Sequence, residues 1–290
     1  MATRVVFWGS RGSIPTPGPG TARYGGNTPC VSVETGDDGH LVILDAGTGI
    51  RLLGAELVRR AETGAVTVDL LLSHTHWDHI QGLPFFAPFF GKGNSVRIWG
   101  AKQGDVDLAV ILRQQMHPVV FPVPLDELAA TPRVEHVTGP EFGIDGFTVR
   151  VARLRHPGNT LAYRLTPAGG GASMAYVTDN ELGSGGDYGE PRTWRKDLER
   201  FLNGVDLLIH DAMFTPEELA RHRGWGHSSY EEAVTLAAAA GVQRLVLFHH
   251  RPERDDAGMD ELTERAGESA ERSGATFDVI AATEGMELTV

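Results

Sequence analysis

The chain has 290 residues, 41% of them hydrophobic, and 38 acidic against 26 basic side chains give a formal net charge of −12 at pH 7. That length suffices for one large core or two modest ones, while the acidic balance argues against nucleic acid as the main partner without excluding a local positive groove. One cysteine, Cys30, excludes an internal disulfide framework and a cysteine-rich zinc module, and without a long apolar run or a signal-like start the expectation is a cytoplasmic protein with no membrane partner.

In chain order, Val5–Trp8, Cys30–Glu34 and Leu41–Asp45 read as strands rich in Val and Ile, with Cys30 a buried strand residue. Arg11–Gly26, rich in Pro and Gly, reads as an ordered loop. Gly47-Thr48-Gly49 opens a helix in which Ile50, Leu53, Leu57 and Ala61 recur at helical spacing. A helix start of this kind can hold phosphate, but the favoured reading is a structural turn. Val66–Ser73 is a near-continuous apolar run, as expected of a buried strand, and Asp105–Met116 reads as a helix. Phe147–Arg153, Thr160–Leu165 and Ser173–Thr178 are strand candidates, the last two joined by a hairpin at Gly169-Gly170-Gly171.

Trp194, Leu198, Phe201 and Leu202 form a helical face that stops at Asn203-Gly204. Val205–His210 reads as another buried strand. Thr215-Pro216-Glu217-Glu218 is a capping box with proline at the first helical position, and Ser228-Ser229-Tyr230-Glu231 reads as a second box. That second helix ends at Gly241. Arg244–Phe248 is a strand, and a weakly apolar helix is expected around Asp260–Ser273. Strands followed by helices, twice over, predict an α/β chain in which two sheets pack together with helices outside. Residues 1–290 are read as one domain.

The strongest chemical signal is His74-Thr75-His76-Trp77-Asp78-His79, directly after the strand Val68–Leu72. Side chains at a strand end and the following turn can converge on one point, and imidazole and carboxylate suit zinc, manganese or iron. This pattern resembles the metallo-β-lactamase superfamily. The resemblance implies an αββα sandwich of two mixed β-sheets flanked by helices, with two divalent metal ions at the sheet edge, zinc first and manganese or iron as alternatives. Further ligands are then sought by match: His156 in Arg155-His156-Pro157-Gly158-Asn159, the bridging Asp179 in Tyr176-Val177-Thr178-Asp179-Asn180, and His249 after Leu245–Phe248. His74, His76 and His156 would hold one ion; Asp78, His79 and His249 the other. Asp45, ending its strand, is expected to position a ligand, and His250 to face away.

Three further segments, His210-Asp211-Ala212-Met213-Phe214, Gly226-His227-Ser228-Ser229 and Leu247-Phe248-His249, are similar to the ribonuclease Z-like branch. That branch holds tRNA 3′-processing endonucleases and smaller phosphodiesterases. Trp8-Gly9-Ser10-Arg11-Gly12-Ser13 and Gly25-Gly26-Asn27-Thr28 fit its smaller members. The resemblance implies catalytic roles for Asp78, His227 and Asp211: water activated at the metals attacks, His227 supplies the leaving-group proton, and Asp211 orients its ring. The inserted arm with which ribonuclease Z enzymes grip tRNA has no basic counterpart here. The expected substrate is therefore a small or cyclic phosphodiester. Alternatives are a thioester or lactone, or a pre-tRNA. Phe85–Phe90 reads as core or homodimer interface before base-stacking pocket. His117–Pro122 is either a rim of the site or surface packing. His40, His136 and His222 read as surface residues.

Overall fold

The computed structural model describes residues 2–36, 40–61, 64–183 and 185–290. Its strands are β1 (Thr3–Gly9), β2 (Cys30–Thr35), β3 (Leu41–Leu44), β4 (Thr67–Leu71), β5 (Ser95–Gly100), β6 (Arg133–His136), β7 (Glu141–Ile144), β8 (Phe147–Arg153), β9 (Leu161–Pro167), β10 (Met174–Val177), β11 (Leu207–Asp211), β12 (Arg244–Phe248), β13 (Asp278–Ala281) and β14 (Glu287–Thr289). The α-helices are α1 (Ile50–Ala61), α2 (Trp77–Ile80), α3 (Leu108–Gln115), α4 (Trp194–Leu202), α5 (Pro216–Leu219), α6 (Tyr230–Ala240) and α7 (Asp256–Arg272).

The strands form two seven-stranded sheets, ordered β14-β1-β2-β3-β4-β5-β6 and β13-β12-β11-β10-β9-β8-β7. Both are mixed: β1 to β3 pair antiparallel and β3 to β6 parallel, while β7 to β10 pair antiparallel and β10 to β13 parallel. The expected αββα sandwich is the fold observed. Its apolar strands read as continuous runs because both faces are covered. Val42 and Leu44 turn inward with Phe7 and Val33 against Tyr163, Tyr176 and Ile209 of the facing sheet. Leu41, Ile43, Val68 and Leu70 turn outward under Leu53 and Leu57 of α1 and Leu112 of α3. Ala175, Val177, Leu208 and Leu245 lie under α4, α6 and α7.

Three differences from the sequence reading have local causes. The second capping box uses Ser229 and Glu232, one residue later than expected. Ser228 is diverted, its hydroxyl donating to the Asn180 carbonyl at 2.5 Å. Helix α7 starts at Asp256, because Asp255 caps it by accepting from the Gly258 amide at 2.8 Å. Strands β5, β6, β7, β13 and β14 were not anticipated; β6 (RVEH) and β14 (ELT) carry the charged residues that blunt sheet edges.

His40 is not a surface residue. Its side chain is 11% exposed and pairs with Asp69, a fully buried carboxylate in β4. Asp69 also accepts from Trp99 Nε1 at 2.6 Å and Arg97 Nη2 at 2.7 Å. Burial alone would raise its pKa, but the bonds from His40, Trp99 and Arg97 outweigh that and hold it below the usual carboxylate value. Asp69→Ala leaves three donors without their acceptor and should cost about 3–5 kcal/mol, read as a lower urea midpoint. A loss under about 1 kcal/mol, the range of an exposed pair, would refute a structural role for this cluster. His136 pairs with Asp107 at 3.0 Å and His222 stacks on Phe214 at 4.7 Å, so neither is a free surface histidine.

Candidate metal centre

Strands β4, β8, β10, β11 and β12 end at one edge of the sandwich, and each delivers a titratable residue there. His74 follows β4, and Asp78 and His79 project from α2 with His76 at its N-terminal boundary. His156 follows β8, Asp179 follows β10, Asp211 ends β11 and His249 follows β12. All seven residues expected as ligands come together. In the first set, His156 Nε2 lies 3.0 Å from His76 Nδ1 and 3.7 Å from Asp179 Oδ1, and His74 Nε2 is 4.0 Å from that same oxygen. In the second, His79 Nε2 is 3.2 Å from Asp78 Oδ2 and 3.1 Å from Asp179 Oδ2. His249 Nε2 is 3.1 Å and 3.3 Å from those two oxygens. Asp179 therefore turns one oxygen to each set.

The donor set fits divalent cations. His74 Nε2 and His79 Nε2 are buried with no hydrogen-bond partner among the described residues. Burial pulls the pKa of His74, His76 and His156 down, that of His156 to about 4, so these rings are neutral at pH 7 with a lone pair to offer. Burial works against ionisation of Asp78 and Asp179 too, but the neighbouring imidazoles overcome it and hold both well below the usual carboxylate range. No Arg or Lys among the described residues pairs with either. Buried negative charge with no side-chain cation but imidazole beside it is a site that calls for a metal ion.

Three of the candidate ligands, His79, His74 and His156, are aimed from behind. Asp45 accepts from His79 Nδ1 at 2.7 Å, from the Ser73 hydroxyl at 2.8 Å and from the Tyr176 hydroxyl at 2.8 Å. Ser73 Oγ accepts from His74 Nδ1 at 3.1 Å. The Gly226 carbonyl accepts from His156 Nδ1 at 2.9 Å. These bonds commit the Nδ1 atoms of His79, His74 and His156 and turn their Nε2 atoms to the centre. Gly226 has no substitute: its φ is +85°, and a Cβ there would lie 2.1 Å from His156 Nδ1.

Five non-glycine residues among those described have positive φ, and four of them, Ser13, Asp45, Asp179 and His249, belong to this site. The Ser13 amide donates to Asp78 Oδ2 at 2.7 Å. Such strain persists where surrounding structure over-determines it, and it leaves no mark in composition. Sequence reasoning missed Ser13, Tyr176 and Glu181. Glu181, fully buried, accepts from the amides of Gly224 and Gly226 at 2.9 and 3.1 Å and so fixes the loop leading to His227. Its signal was a charged residue two places after Asp179.

His227 Nδ1 lies 2.6 Å from Asp211 Oδ2 and 3.9 Å from Asp179 Oδ1, and its ring stacks on His249 at 5.0 Å. Burial would lower its pKa, but the charge and hydrogen bond of Asp211, joined by Asp179 and Asp78, raise it to about 9. A cavity of about 500 Å³ opens onto these residues, lined by Ser13, Thr75, His76, Trp77, Asp78, His156, Asp179, His227 and His249. A larger cavity of about 580 Å³, between Ala101–Pro140 and Val151–Leu161, contains none of the ligands. Phe86 and Phe89 are core residues, while Phe85 and Phe90 are exposed. Phe121, from the His117–Pro122 segment, packs edge-on against Phe85 at 5.6 Å. His250 Nε2 donates to the Ala282 carbonyl at 2.7 Å, away from the centre. Gly47 and Gly49 are in tight backbone contacts, where a Cβ would lie 2.4 Å from the Asp78 and Trp8 carbonyl oxygens respectively.

Residues 40–250 match the family described as beta-lactamase superfamily domain. The chain is 25% identical to a ribonuclease Z of Bradyrhizobium sp. (strain ORS 278), an alignment covering 84% of this chain and 88% of that one. Among solved structures it is similar to the metallo-beta-lactamase fold protein YhfI from Bacillus subtilis, with TM-score 0.71, 19% identity and full coverage of both chains. It is also similar to a diphosphatase from the PhnP family, with TM-score 0.66 and 18% identity over 100% of this chain and 98% of that one.

Proposed function

The chain belongs to the beta-lactamase superfamily, and we propose that within it this protein is a hydrolase of a small phosphodiester that works with two divalent metal ions. His74, His76, His156 and Asp179 Oδ1 would hold one ion; Asp78, His79, His249 and Asp179 Oδ2 would hold the other. Such a pair lowers the pKa of water towards neutrality and clamps phosphoryl oxygens. The remaining work belongs to the chain. Asp211 accepts from Nδ1 of His227 and favours its protonated form, which leaves Nε2–H to protonate a departing oxygen. Glu181 holds the loop amides that keep this ring in register.

The observation that carries the reading is this buried His227–Asp211 pair, hydrogen-bonded at 2.6 Å beside the ligand set. A thiolate leaving from a thioester needs no proton, whereas an alkoxide leaving phosphorus does. The names of the ribonuclease Z and diphosphatase relatives support chemistry at phosphorus. The net charge of −12 favours a small ester over a folded RNA.

The test is a panel on purified protein: a chromogenic phosphodiester, 2′,3′- and 3′,5′-cyclic nucleotides, a pre-tRNA and a thioester, each with zinc and with manganese. Phosphodiester turnover should vanish with chelator and return with metal. Turnover of the thioester without any phosphodiester would overturn the reading, and cleavage of pre-tRNA alone would replace the small ester with RNA.

A further inference from the structure

The cavity of about 580 Å³ takes no ligand residue from the metal centre and has a construction of its own. Strands β6 and β7 are the end strands of their sheets, and Val137–Pro140, which joins them, forms one wall. Ala101 and Lys102 after β5, Arg153 at the end of β8 and Asn159 just before β9 form others. Ala101, Val137 and Val151 pack against the apolar layer between the sheets, and Leu161 belongs to it. At this edge the layer is incompletely filled, against the close packing usual in interiors. Ala101 is small, and a Cβ on Gly139 would meet nothing closer than 3.8 Å. Water against such walls is poorly partnered, and displacing it with an apolar group gains affinity. The volume falls within the roughly 300–1,000 Å³ of pockets that take small molecules.

The polar residues of the lining are not balanced in charge. Arg153 is committed: its Nε lies 3.1 Å from Glu190, and its Nη2 donates to Asn159 Oδ1 at 2.8 Å. His136 Nε2 meets Asp107 Oδ2 at 3.0 Å, but its Nδ1 is buried with no hydrogen-bond partner among the described residues. Lys102 makes no ion pair among the described residues, and its backbone is fixed, since its carbonyl accepts from Asn159 Nδ2 at 2.5 Å. Asp107 feels the Lys102 charge but is already satisfied, by His136 and by the Ala109 amide at 3.0 Å. An unpaired ammonium and an orphaned ring nitrogen therefore face one apolar space.

We propose that this cavity is a second binding site, for a small molecule with an apolar body and one carboxylate. The body lies among Ala101, Val137, Val151 and Leu161, and the carboxylate meets Lys102 and His136 Nδ1. Charge selects the class. A ligand ammonium would be repelled by Lys102 and Arg153, and a neutral hydroxyl would leave the lysine unmatched. A carboxylate gains a charge-assisted bond from Lys102 and can accept from Nδ1–H of a His136 ring held between it and Asp107. The site is separate from the phosphodiester reading, and either can fail without the other.

Calorimetric titration of the metal-loaded protein with phenylbutyrate and with phenylbutanol tests both halves of the site. The acid should bind about tenfold more tightly than the alcohol. Lys102→Ala should bring the acid down to the level of the alcohol and leave the alcohol as before. Ala101→Phe and Val137→Trp fill the cavity from two walls, and each should weaken both ligands by at least about tenfold while the metal content stays parental. Lys102 is exposed, so its substitution disturbs no packing and keeps the test decisive should a filling variant fail to fold. Acid binding that survives Lys102→Ala and both fillings belongs to the metal centre and overturns the second site. Equal affinity for acid and alcohol in the parent overturns the carboxylate class, and binding of neither overturns the proposal outright.

Discussion

Asp179→Asn should lose metal and cut turnover by at least about 10³-fold, the loss of roughly 4 kcal/mol of transition-state stabilisation. Its two carboxylate oxygens are divided between the ligand sets, Oδ1 towards His74 and His156 and Oδ2 towards His79 and His249. An amide keeps the shape and tolerates the positive φ of 49°, but it cannot offer an anionic oxygen to both sides. The change therefore tests charge and bridging without breaking the backbone. Binding linkage supplies a second readout. A metal at a thousand times its Kd stabilises the parent by about 4.1 kcal/mol, seen as a raised Tm, and most of that gain should vanish in the variant. Metal analysis showing two ions per chain in Asp179→Asn, with near-parental turnover, would refute the bridging role.

The candidate ligands were legible for a reason that does not extend to their surroundings. His74, His76, Asp78 and His79 stand in one contiguous run behind a strand with both faces buried, so pattern and placement agree. His156, Asp179 and His249 lie far apart in sequence. They were found by matching strand-end residues to a known family, and the sheet edge then shows why strand ends serve: β4, β8, β10 and β12 all finish there. What was not legible is carried by backbone and by long-range pairs. The Ser13 amide on Asp78, the positive φ of Asp45 and His249, and Glu181 on the Gly224 and Gly226 amides are conformational facts without a residue pattern. His40 looked like a surface loop residue because its partner, Asp69, is hidden in mid-strand. The edge strands β6 and β14 were missed because an edge is kept polar to discourage pairing, which erases the apolar signal.

His227→Ala separates proton transfer from metal binding. The ring is held by Asp211 and stacks on His249, but it is not needed to complete either ligand set. Both ions should therefore remain, and turnover of a nucleotide ester should fall by about 10²–10⁴-fold. The loss depends on the leaving group. A ribose alkoxide is a poor leaving group and needs its proton as the bond breaks, whereas p-nitrophenolate is stable as an anion and hardly does. The defect should be large on the nucleotide and small on the chromogenic ester, measured on one preparation. Asp211→Asn should show the same contrast more weakly. The amide oxygen can still accept from the Met213 amide, now at 2.9 Å from Oδ1, but the charge that lifts the His227 pKa is gone, so a smaller fraction of the ring carries the proton at pH 7. Equal losses on both esters, with metal missing, would make His227 a prop for the centre and take from the phosphodiester reading the observation that carries it.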